Sequence, residues 1–278
     1  MGKTISVIIP TFNRIDSTHQ AVNSVTSLRS ELVEIVVADD GGDIAYHYPG
    51  ATNVHGIDVT VVRSSHNAGP GLARQNAIAH SSGRAIAFLD SDDMYEEGWI
   101  DAALGEFMGA EVDQPGKTFM AGRVRQGSPS TRFCFQMLLR APAQMRTLLC
   151  RFMVLIFNPF YTPSIVLSRE LCQFSSSLRY CEDYYTNAFA IFAAKRVVIS
   201  PHYACRLSRS PGAVGGEASQ RQKMLEGEMH VRRTLFRSDS VPPAFKLVVP
   251  LGVLYQFARE SLKKLLSGFA QILHLDLS

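Results

Sequence analysis

An acidic cluster at residues 90–93, Asp-Ser-Asp-Asp, directly follows the apolar segment 85–89. Carboxylates placed this close repel one another, and a bound divalent cation relieves the repulsion. Oxygen ligands of this kind, completed by phosphate oxygens, suit Mg²⁺ or Mn²⁺. A structural role is the alternative, because Asp92 or Asp93 could cap a helix that runs through Trp99. Taken alone, the segment supports a metal site and a helix cap equally.

Two more acidic pairs have both a chemical and a structural interpretation. Glu182 and Asp183 could supply a general base, and they could equally pair with the dipole of a helix running through Ala190. Asp39 and Asp40 end an apolar segment before two glycines, as at a strand-to-turn junction. A carboxylate there could also accept a hydrogen bond from a nucleotide base or a ribose hydroxyl. In isolation, both pairs favour the structural role.

Residues 67–76, Asn-Ala-Gly-Pro-Gly-Leu-Ala-Arg-Gln-Asn, have the composition of a loop that opens a helix. The free N–H groups of the first helical turn could bind an anion. Arg74, one turn inside, could reach a phosphate group. The segment matches neither the dinucleotide-binding glycine pattern nor a P-loop, which argues against a dehydrogenase and an NTPase.

The elements that must position these residues alternate between strand and helix. Apolar segments at 5–9, 33–38, 59–62 and 85–89 predict strands, and 71–80 predicts a helix. Another helix is expected after an N-cap at Asp16 or Ser17, with Val22, Val25 and Leu28 on one face. Continuous apolar strands separated by helices predict an α/β fold with a parallel sheet covered on both faces. The polar strand ends then converge on one edge, where such sheets bind ligands.

The second half of the chain is less regular. Strands are predicted at 119–121, 165–167 and 196–199, a helix at 184–194, and loops at 114–117, 126–132 and 208–219. Apolar residues spaced by three and four predict a C-terminal amphipathic helix, bent near Pro250. Its stripe consists of Leu247, Leu251, Leu254, Ala258, Leu262, Leu265, Phe269 and Ile272. The segment 145–157 predicts a core helix or a wall for a lipid-linked acceptor.

Composition restricts the class of protein. The 278 residues include 46% hydrophobic and 19% charged residues, which excludes a disordered chain. A net charge of +3 is too small to indicate a nucleic-acid partner. The five scattered cysteines argue against a zinc site or a disulfide framework and favour the cytoplasm. Neither a signal peptide nor a membrane-spanning segment is expected from the apolar runs.

Four segments together resemble the family 2 glycosyltransferases, which have the GT-A fold. They are Val-Ile-Ile-Pro-Thr-Phe-Asn-Arg at 7–14, Val-Ala-Asp-Asp-Gly at 37–41, the segment 67–76, and Phe-Leu-Asp-Ser-Asp-Asp at 88–93. A thinner similarity continues through Thr162 and the following residues to the segment 178–184. The resemblance implies a GT-A catalytic domain at 1–240, with a nucleotide-sugar half at 1–110 and an acceptor half at 111–240. Residues 241–278 would form a helical extension.

The resemblance also implies roles for individual residues. The donor would be a nucleotide-diphosphate sugar, expected to be UDP-linked, and transfer would invert the anomeric carbon. Asp183, beside Glu182, would be the general base. Asp90 and Asp92 would form the metal-binding pair, with Asp92 the direct Mn²⁺ or Mg²⁺ ligand and Asp93 close by. The residues expected to bind the nucleotide sugar are Pro10, Thr11, Asn13, Arg14, Asp39, Asp40, Asn67, Gly69, Arg74, Asp90 and Ser91.

One departure from the family pattern concerns the metal. Many relatives carry a histidine after the base that completes the metal shell, whereas the comparable stretch at 205–212 has serine. His202 lies nearby but out of register. Water, serine or a donor phosphate could complete the shell, or Arg206 and Arg209 could neutralise the diphosphate directly.

The expected activity is sugar transfer to a glycan or lipid-linked acceptor in cell-surface polysaccharide synthesis. Two alternatives stay open: a non-catalytic nucleotide-sugar-binding module and a sugar nucleotidyltransferase. The protein is expected to be cytoplasmic. Residues 246–273 could contact the inner face of the membrane, because basic residues flank the apolar stripe. Packing of this helix on the catalytic domain explains the stripe equally well.

Overall fold

The computed structural model describes residues 2–48, 53–113, 116–208 and 220–272, with the backbone alone at 113, 260 and 262–272. The strands are β1 Ile5–Thr11, β2 Val33–Asp39, β3 Asn53–Val54, β4 Ile57–Arg63, β5 Ala85–Phe88, β6 Met94–Tyr95, β7 Thr118–Val124, β8 Ile165–Ser168 and β9 Arg196–Arg206. The helices are α1 Ile15–Asn23, α2 Pro70–Ala79, α3 Trp99–Asp113, α4 Pro129–Arg140, α5 Ala143–Ile156, α6 Glu182–Ala193, α7 Arg221–Arg237, α8 Pro243–Lys246 and α9 Val249–Ile272. Short 3₁₀ turns occupy Ser30–Leu32, Thr162–Ser164 and Arg169–Leu171.

The strands form one sheet in the order β3-β4-β2-β1-β5-β8-β7-β9-β6. The four neighbouring strands β4, β2, β1 and β5 are parallel, as the alternating apolar segments predict. In the other half β8 runs antiparallel to β5 and β7, while β7 and β9 are parallel. The α/β class with helices on both faces is therefore confirmed, and the antiparallel pairs make the sheet as a whole mixed.

Two hydrophobic cores lie on opposite faces of the sheet. Alternation along β1 supplies both, because Ile5, Val7 and Ile9 pack on one face and Ile8 on the other. Helices α1 and α3 cover the first face, and the residues of α2 and α4 to α7 cover the second. Burial of both faces explains why the central strands are apolar throughout rather than alternating.

The strand register brings the polar strand ends to one edge. Thr11 is level with Asp39, and Ile8 is level with Phe88, so Asp90 lies two residues beyond the end of β5. The amide of Asp40 donates to the carbonyl of Thr11 over 2.9 Å, which extends the β1–β2 pairing by one residue. The predicted convergence of the strand ends is thus confirmed for these segments.

Several local predictions were wrong. Residues 126–132 are not all loop, because α4 begins at Pro129 with Ser128 as its cap; the Ser128 hydroxyl accepts from the amide of Thr131 over 3.2 Å. Serine and proline are common in loops, but they are also favoured at the first positions of a helix. Helix α1 begins at Ile15, so neither predicted cap lies at its N-cap, and Leu28 lies beyond its end with 93% of its surface exposed.

The helix cap proposed at Asp92 or Asp93 is also absent from the described chain. Strand β6 follows the acidic cluster, and α3 begins only at Trp99. Pro250 does not bend a helix, since it is the second residue of α9, where its missing N–H costs nothing. Residues 209–219 of the predicted loop lie outside the described part of the structure.

Helix α9 packs on α5 and α7 through a face other than the predicted apolar stripe. Gly252 lies so close to α5 that an added Cβ would be 2.2 Å from the carbonyl oxygen of Leu155. The amide oxygen of Gln256 accepts from buried Arg232 of α7 over 2.7 Å. Of the stripe, Leu247, Leu251, Leu254 and Ala258 are exposed, while the side chains of Leu262, Leu265, Phe269 and Ile272 lie outside the described residues.

Within the described residues, no helix is both long enough and apolar enough to cross a bilayer.

Candidate active site

A cleft of about 530 Å³ opens at the strand edge where β1, β2 and β5 end. Residues from these strand ends, from the loop before α2 and from α2 itself form one side, here called the strand-end wall. Residues of the 3₁₀ turn before β8, of the segment leading into α6 and of α7 form the other side, here called the helix wall. The lining residues are Pro10, Thr11, Phe12, Arg14, Asp40, Asn67, Gly69, Pro70, Ala73, Arg74, Asp90, Ser91, Asp92, Thr162, Arg179, Tyr180, Cys181, Glu182, Asp183 and Met224.

Asp40 fixes the loop before α2 against the strand ends. Its two carboxylate oxygens accept hydrogen bonds from the amides of Ala68 and Gly69, over 3.0 and 2.8 Å. Gly69 has a φ of 93°, a conformation that favours glycine, and Pro70 opens the helix behind it. The carboxylate therefore shapes the loop, and it also lines the cleft.

Arg74 joins the two walls. Its guanidinium donates to Asp90 over 2.6 Å on the strand-end wall and to Glu182 over 3.0 Å on the helix wall. The side chain is only 5% exposed, so both ion pairs are shielded from solvent. Gly71, one helical turn earlier, makes room for this contact, since an added Cβ would lie 2.7 Å from Cγ of Glu182. In addition to its predicted role near a phosphate, Arg74 thus links the strand-end wall to the helix wall.

The other lining carboxylate of the acidic cluster also has a cationic partner. Asp92 accepts from Arg14 over 2.8 Å, and both side chains are partly exposed. Ser91 between the two acids is buried. Asp90 and Asp92 therefore present carboxylates to the cleft, in agreement with the sequence spacing.

Asp183 lies on the helix wall in the first turn of α6. Its carboxylate oxygen Oδ2 is 3.4 Å from Nδ2 of Asn158 and 3.4 Å from Oγ1 of Thr162, which both donate to it. Burial raises the pKa of Asp183 above its ordinary value. A carboxylate with a raised pKa is a stronger base near neutral pH, which suits proton removal from a hydroxyl.

Glu182 faces Arg74 rather than capping its own helix. Burial, together with the neighbouring charge of Asp183, raises the pKa of Glu182 to about 7. Cys181, which precedes it, adopts a left-handed conformation with a φ of 59°, unusual for a residue with a side chain. Gly227 of α7 packs against this turn, since an added Cβ would be 2.7 Å from the carbonyl oxygen of Tyr180.

Three predicted site residues do not line the cleft. Asp39 is buried in a hydrogen-bonded ion pair with Arg63 and also accepts from the amide of Tyr46 over 2.9 Å. Asn13 exchanges two hydrogen bonds with Asp43, which hold the turn after β2. The side chains of Asp39 and Asn13 therefore stabilise loops through these contacts.

Asp93 is the third. It is buried, and its carboxylate accepts from the amide of Ser208 over 2.9 Å. Burial and the charge of Asp90 raise its pKa to about 7. The alternatives suggested for the metal shell also lie elsewhere: His202 is exposed, 3.9 Å from Glu106, and Arg206 pairs with Glu96 over 3.6 Å. Arg209 lies outside the described residues.

Four lining residues were not among the predicted site residues: Met224 of α7, and Thr162, Arg179 and Tyr180, which belong to the segments that resemble the family. Arg179 donates to the side chain of Asn67 over 3.0 Å, which links the helix wall to the strand-end wall. No local pattern marks Met224, because its position depends on the packing of α7 against the turn before α6. The signal for the others was their similarity to the family, in the segment that begins at Thr162 and in the segment 178–184.

The donor atoms of the cleft fit a divalent cation. Among the described residues, no group of three or more His, Cys, Asp or Glu side chains forms a ready-made metal site. Mg²⁺ and chemically similar ions are commonly bound through one or two carboxylates, with substrate phosphates and water completing the shell. Asp90 and Asp92 supply two such carboxylates on one wall of an open cleft.

The fold is that of the GT-A type glycosyltransferases. The structure of Staphylococcus aureus TarS 1–349 in complex with UDP-GlcNAc superimposes with a TM-score of 0.64 at 18% identity, covering 92% of this chain and 73% of TarS. The mannosyltransferase PcManGT from Pyrobaculum calidifontis, in complex with GDP-Man and Mn²⁺, gives a TM-score of 0.62 at 15% identity, covering 97% of this chain and 80% of PcManGT. At these identities the likeness concerns the fold alone.

The family model for glycosyl transferase family 2 matches residues 6–166, which is more than half of the chain, and the chain belongs to this family. The succinoglycan biosynthesis protein ExoU of Rhizobium meliloti is 28% identical over 210 residues, covering 72% of this chain and 61% of ExoU. Three other curated relatives match over 102 to 105 residues, and the chain covers only 14% to 21% of their length.

Proposed function

We propose that the protein transfers a sugar from a nucleotide-diphosphate donor to an acceptor hydroxyl with inversion at the anomeric carbon. One observation carries the proposal: Asp183, a carboxylate with a raised pKa, lines the same cleft as the strand-end acids Asp90 and Asp92. Inversion by a single displacement requires a base on the acceptor side and charge neutralisation on the leaving-group side. The two walls of the cleft carry groups of these two kinds.

In this mechanism Asp183 accepts the proton of the acceptor hydroxyl while the oxygen forms a bond to the anomeric carbon. The bond between that carbon and the diphosphate oxygen breaks, and the nucleoside diphosphate leaves with the electron pair. Asn158 and Thr162 orient the Asp183 carboxylate by donating to one of its oxygens. Glu182 does not compete as the base, because its carboxylate is held by Arg74.

Charge balance supports a metal-dependent enzyme. Five carboxyl groups and three guanidinium groups line the cleft, so an anionic diphosphate would meet no excess of positive charge. A divalent cation held by Asp90 and Asp92 would neutralise the leaving diphosphate. Arg14 and Arg179 lie on the cleft surface, where each can donate to a donor phosphate or to a ribose hydroxyl.

The donor is proposed to be a UDP-sugar. TarS binds UDP-GlcNAc and PcManGT binds GDP-Man with Mn²⁺, and this chain shares their fold. Pro10, Thr11 and Asp40, which line the cleft, are proposed to hold the nucleotide base, and the amide of Gly69 donates to Asp40. The division into a donor half at 1–110, an acceptor half at 111–240 and an extension at 241–278 stays part of this proposal.

The acceptor is proposed to be a glycan or a lipid-linked saccharide of a cell-surface polysaccharide. The name of ExoU supports polysaccharide synthesis. Leu247, Leu251, Leu254 and Phe257 expose apolar surface, from 54% to 80% of each residue, beside Lys246 and Arg259. This face is proposed to contact the cytoplasmic leaflet, and the protein to act there as a peripheral enzyme.

The proposal is tested by incubating the purified full chain with a panel of UDP-, GDP- and dTDP-sugars and measuring release of the nucleoside diphosphate. Each donor is tested with Mn²⁺ and with EDTA. We expect release from at least one donor, and loss of that release in EDTA and in Asp183→Asn. Nucleotide-sugar binding with no turnover of any donor, with or without a saccharide acceptor mixture, would favour the non-catalytic module instead.

A further inference from the structure

A second, smaller cavity lies between the β7–α4 connection, the turn before β8, and β9. It measures about 60 Å³ and is called here the arginine cavity. Its lining residues are Gly122, Arg123, Val124, Gly127, Thr131, Arg132, Phe135, Gln136, Pro159, Tyr161, Ser164 and Tyr203. The lining contains two arginines and, among these described residues, no carboxylate.

The two arginines are not neutralised by the protein around them. Arg123 stacks on the ring of Tyr203 at 4.2 Å and donates to its hydroxyl over 2.8 Å. Arg132 is exposed in the first turn of α4. Within the described parts of the chain, neither guanidinium has a carboxylate within ion-pair distance. By contrast Arg125, also over the Tyr203 ring at 4.7 Å, pairs with Glu96 over 2.7 Å and does not line the cavity.

The start of α4 adds a second favourable feature for an anion. Thr131 and Arg132 of its first turn line the cavity, and Ser128 caps the helix. The positive end of the helix dipole and the guanidinium groups therefore lie on the same small space. Arginine is the side chain best suited to recognise carboxylate and phosphate groups, through paired N–H donors.

The segment 158–164 contributes residues to both sites. Asn158 and Thr162 donate to Asp183 in the cleft. Pro159 and Tyr161, their neighbours in sequence, line the arginine cavity. Residues that contact Asp183 and residues that line the cavity therefore lie next to one another along this segment. A saccharide with its hydroxyl at Asp183 would have to pass around the segment to place a charged group at the cavity.

The volume limits what the arginine cavity can hold. One water needs about 10–15 Å³ measured in this way, so 60 Å³ accommodates about four waters. That space suits a carboxylate or a phosphate group and excludes a whole sugar ring. The exposed side chains of Arg132 and Gln136 border the space, so an anionic group can enter from solvent.

We propose that the arginine cavity binds an anionic substituent of the acceptor, either a sugar carboxylate or a phosphate. This inference rests on the proposed glycosyltransferase function, because it assigns the acceptor class for the same site. The acceptor hydroxyl would face Asp183 while the anionic group contacts Arg123 and Arg132. Neutral glycans would then be poorer acceptors than acidic or phosphorylated ones.

The test is direct binding to the full chain in EDTA, without donor, measured by NMR line broadening or calorimetry. Two matched pairs separate the two sources of anion: glucuronic acid against glucose, and glycerol 3-phosphate against glycerol. We expect one anion at least to bind about tenfold or more tightly than its neutral partner, as for charge-assisted hydrogen bonds. The tighter anion identifies the substituent. Equal binding within both pairs would overturn the proposal.

Variants locate the site. Arg132→Gln, at an exposed position that does not affect the core, should lower anion affinity about tenfold, and Arg123→Gln should do the same if it folds. Arg125→Gln is the matched control and should bind the anion like the wild type. An equal loss in Arg125→Gln would overturn the assignment. Donor turnover by the wild type is measured separately. Turnover together with no preference for an anion refutes the cavity alone, whereas no turnover of any donor refutes the proposed function.

Discussion

The strand-end wall of the cleft comes from successive segments of one parallel sheet, whereas the helix wall is assembled from segments far apart in the chain. Residues 10–14, 40, 67–74 and 90–92 follow the ends of strands whose register fixes their height. Thr162, Asp183 and Met224 come from a short turn, a helix start and the face of another helix. A parallel sheet therefore positions one set of groups through backbone pairing, while the other set depends on side-chain packing.

The difference has a counterpart in the electrostatics. On the strand-end wall Asp40 is held by two backbone amides, so its geometry follows from the loop. On the helix wall Glu182 and Asp183 are buried side by side, and burial raises both pKa values. Arg74 is the one described side chain that forms ion pairs with both walls. The comparison predicts that substitutions on the helix wall change chemistry and pH dependence more than donor binding.

The largest expected effect is on the chemical step. Asp183→Asn should reduce sugar transfer by about 10²–10⁴-fold, the usual contribution of a general base, because the amide cannot accept the hydroxyl proton. Transfer is measured under saturating donor. Glu182→Gln, one residue away and facing Arg74, is the matched control and should retain more activity. A larger loss of activity in Glu182→Gln than in Asp183→Asn would mean that Glu182, and not Asp183, is the general base.

The next effect concerns the bridge between the walls. Arg74→Met should lower the free energy of unfolding by about 3 kcal/mol or more, because it leaves the buried Glu182 carboxylate without its partner. Arg14→Met removes only the exposed pair with Asp92 and should cost about 1 kcal/mol or less. Urea denaturation of both variants gives the comparison. Similar losses for the two arginines would mean that Arg74 does not hold the walls together.

A pH dependence of stability should follow from Glu182. Its folded-state pKa of about 7 lies above the ordinary value of 4.5, so the folded state binds this proton more tightly. The resulting stabilisation is fully present below pH 4.5 and is lost as pH rises through 7. Relative to Glu182→Gln, the wild type should lose on the order of 3 kcal/mol across this range. Parallel stability profiles for the two proteins would contradict the raised pKa.

The smallest effect is expected at the exposed face of α9. The wild type should associate weakly with anionic vesicles, and less so at high salt, because apolar burial combines with attraction of basic residues. Replacing Leu251 and Leu254 by Ser should weaken this association about tenfold. Val112→Ser, an exposed apolar residue on α3, is the control and should have no effect. If the wild type does not bind anionic vesicles at low salt, the proposed membrane contact is wrong.

The strand-end wall could be predicted from sequence because its determinants are local. Each polar segment directly follows an apolar strand, and parallel pairing brings the ends together. Asp39 shows the limit of such a prediction. It follows the same apolar segment as Asp40, but its carboxylate forms an ion pair with Arg63 on the neighbouring strand β4. Asp93 likewise differs from Asp92 only in the direction of its side chain, which no spacing specifies.

The helix wall was predicted only where the sequence resembled a family. Glu182 and Asp183 favour a helix start when considered alone, and nothing in their surroundings indicates the contact with Arg74, 108 residues earlier. Met224 and the arginine cavity depend on how α4 and α7 dock on the sheet. The apolar stripe of α9 correctly indicated a helix but not its packing face, because Gly252 and Gln256 make the contacts.

The measurement that tests the division of labour between the walls most directly is donor affinity in two variants. UDP-sugar binding is titrated with and without Mn²⁺ for Asp92→Asn and Asp183→Asn, alongside transfer. Asp92→Asn should lose the metal-dependent part of donor binding together with turnover. Asp183→Asn should bind donor within about threefold of the wild type while losing transfer by at least about 10²-fold. Loss of metal-dependent donor binding in Asp183→Asn, with binding intact in Asp92→Asn, would contradict the account.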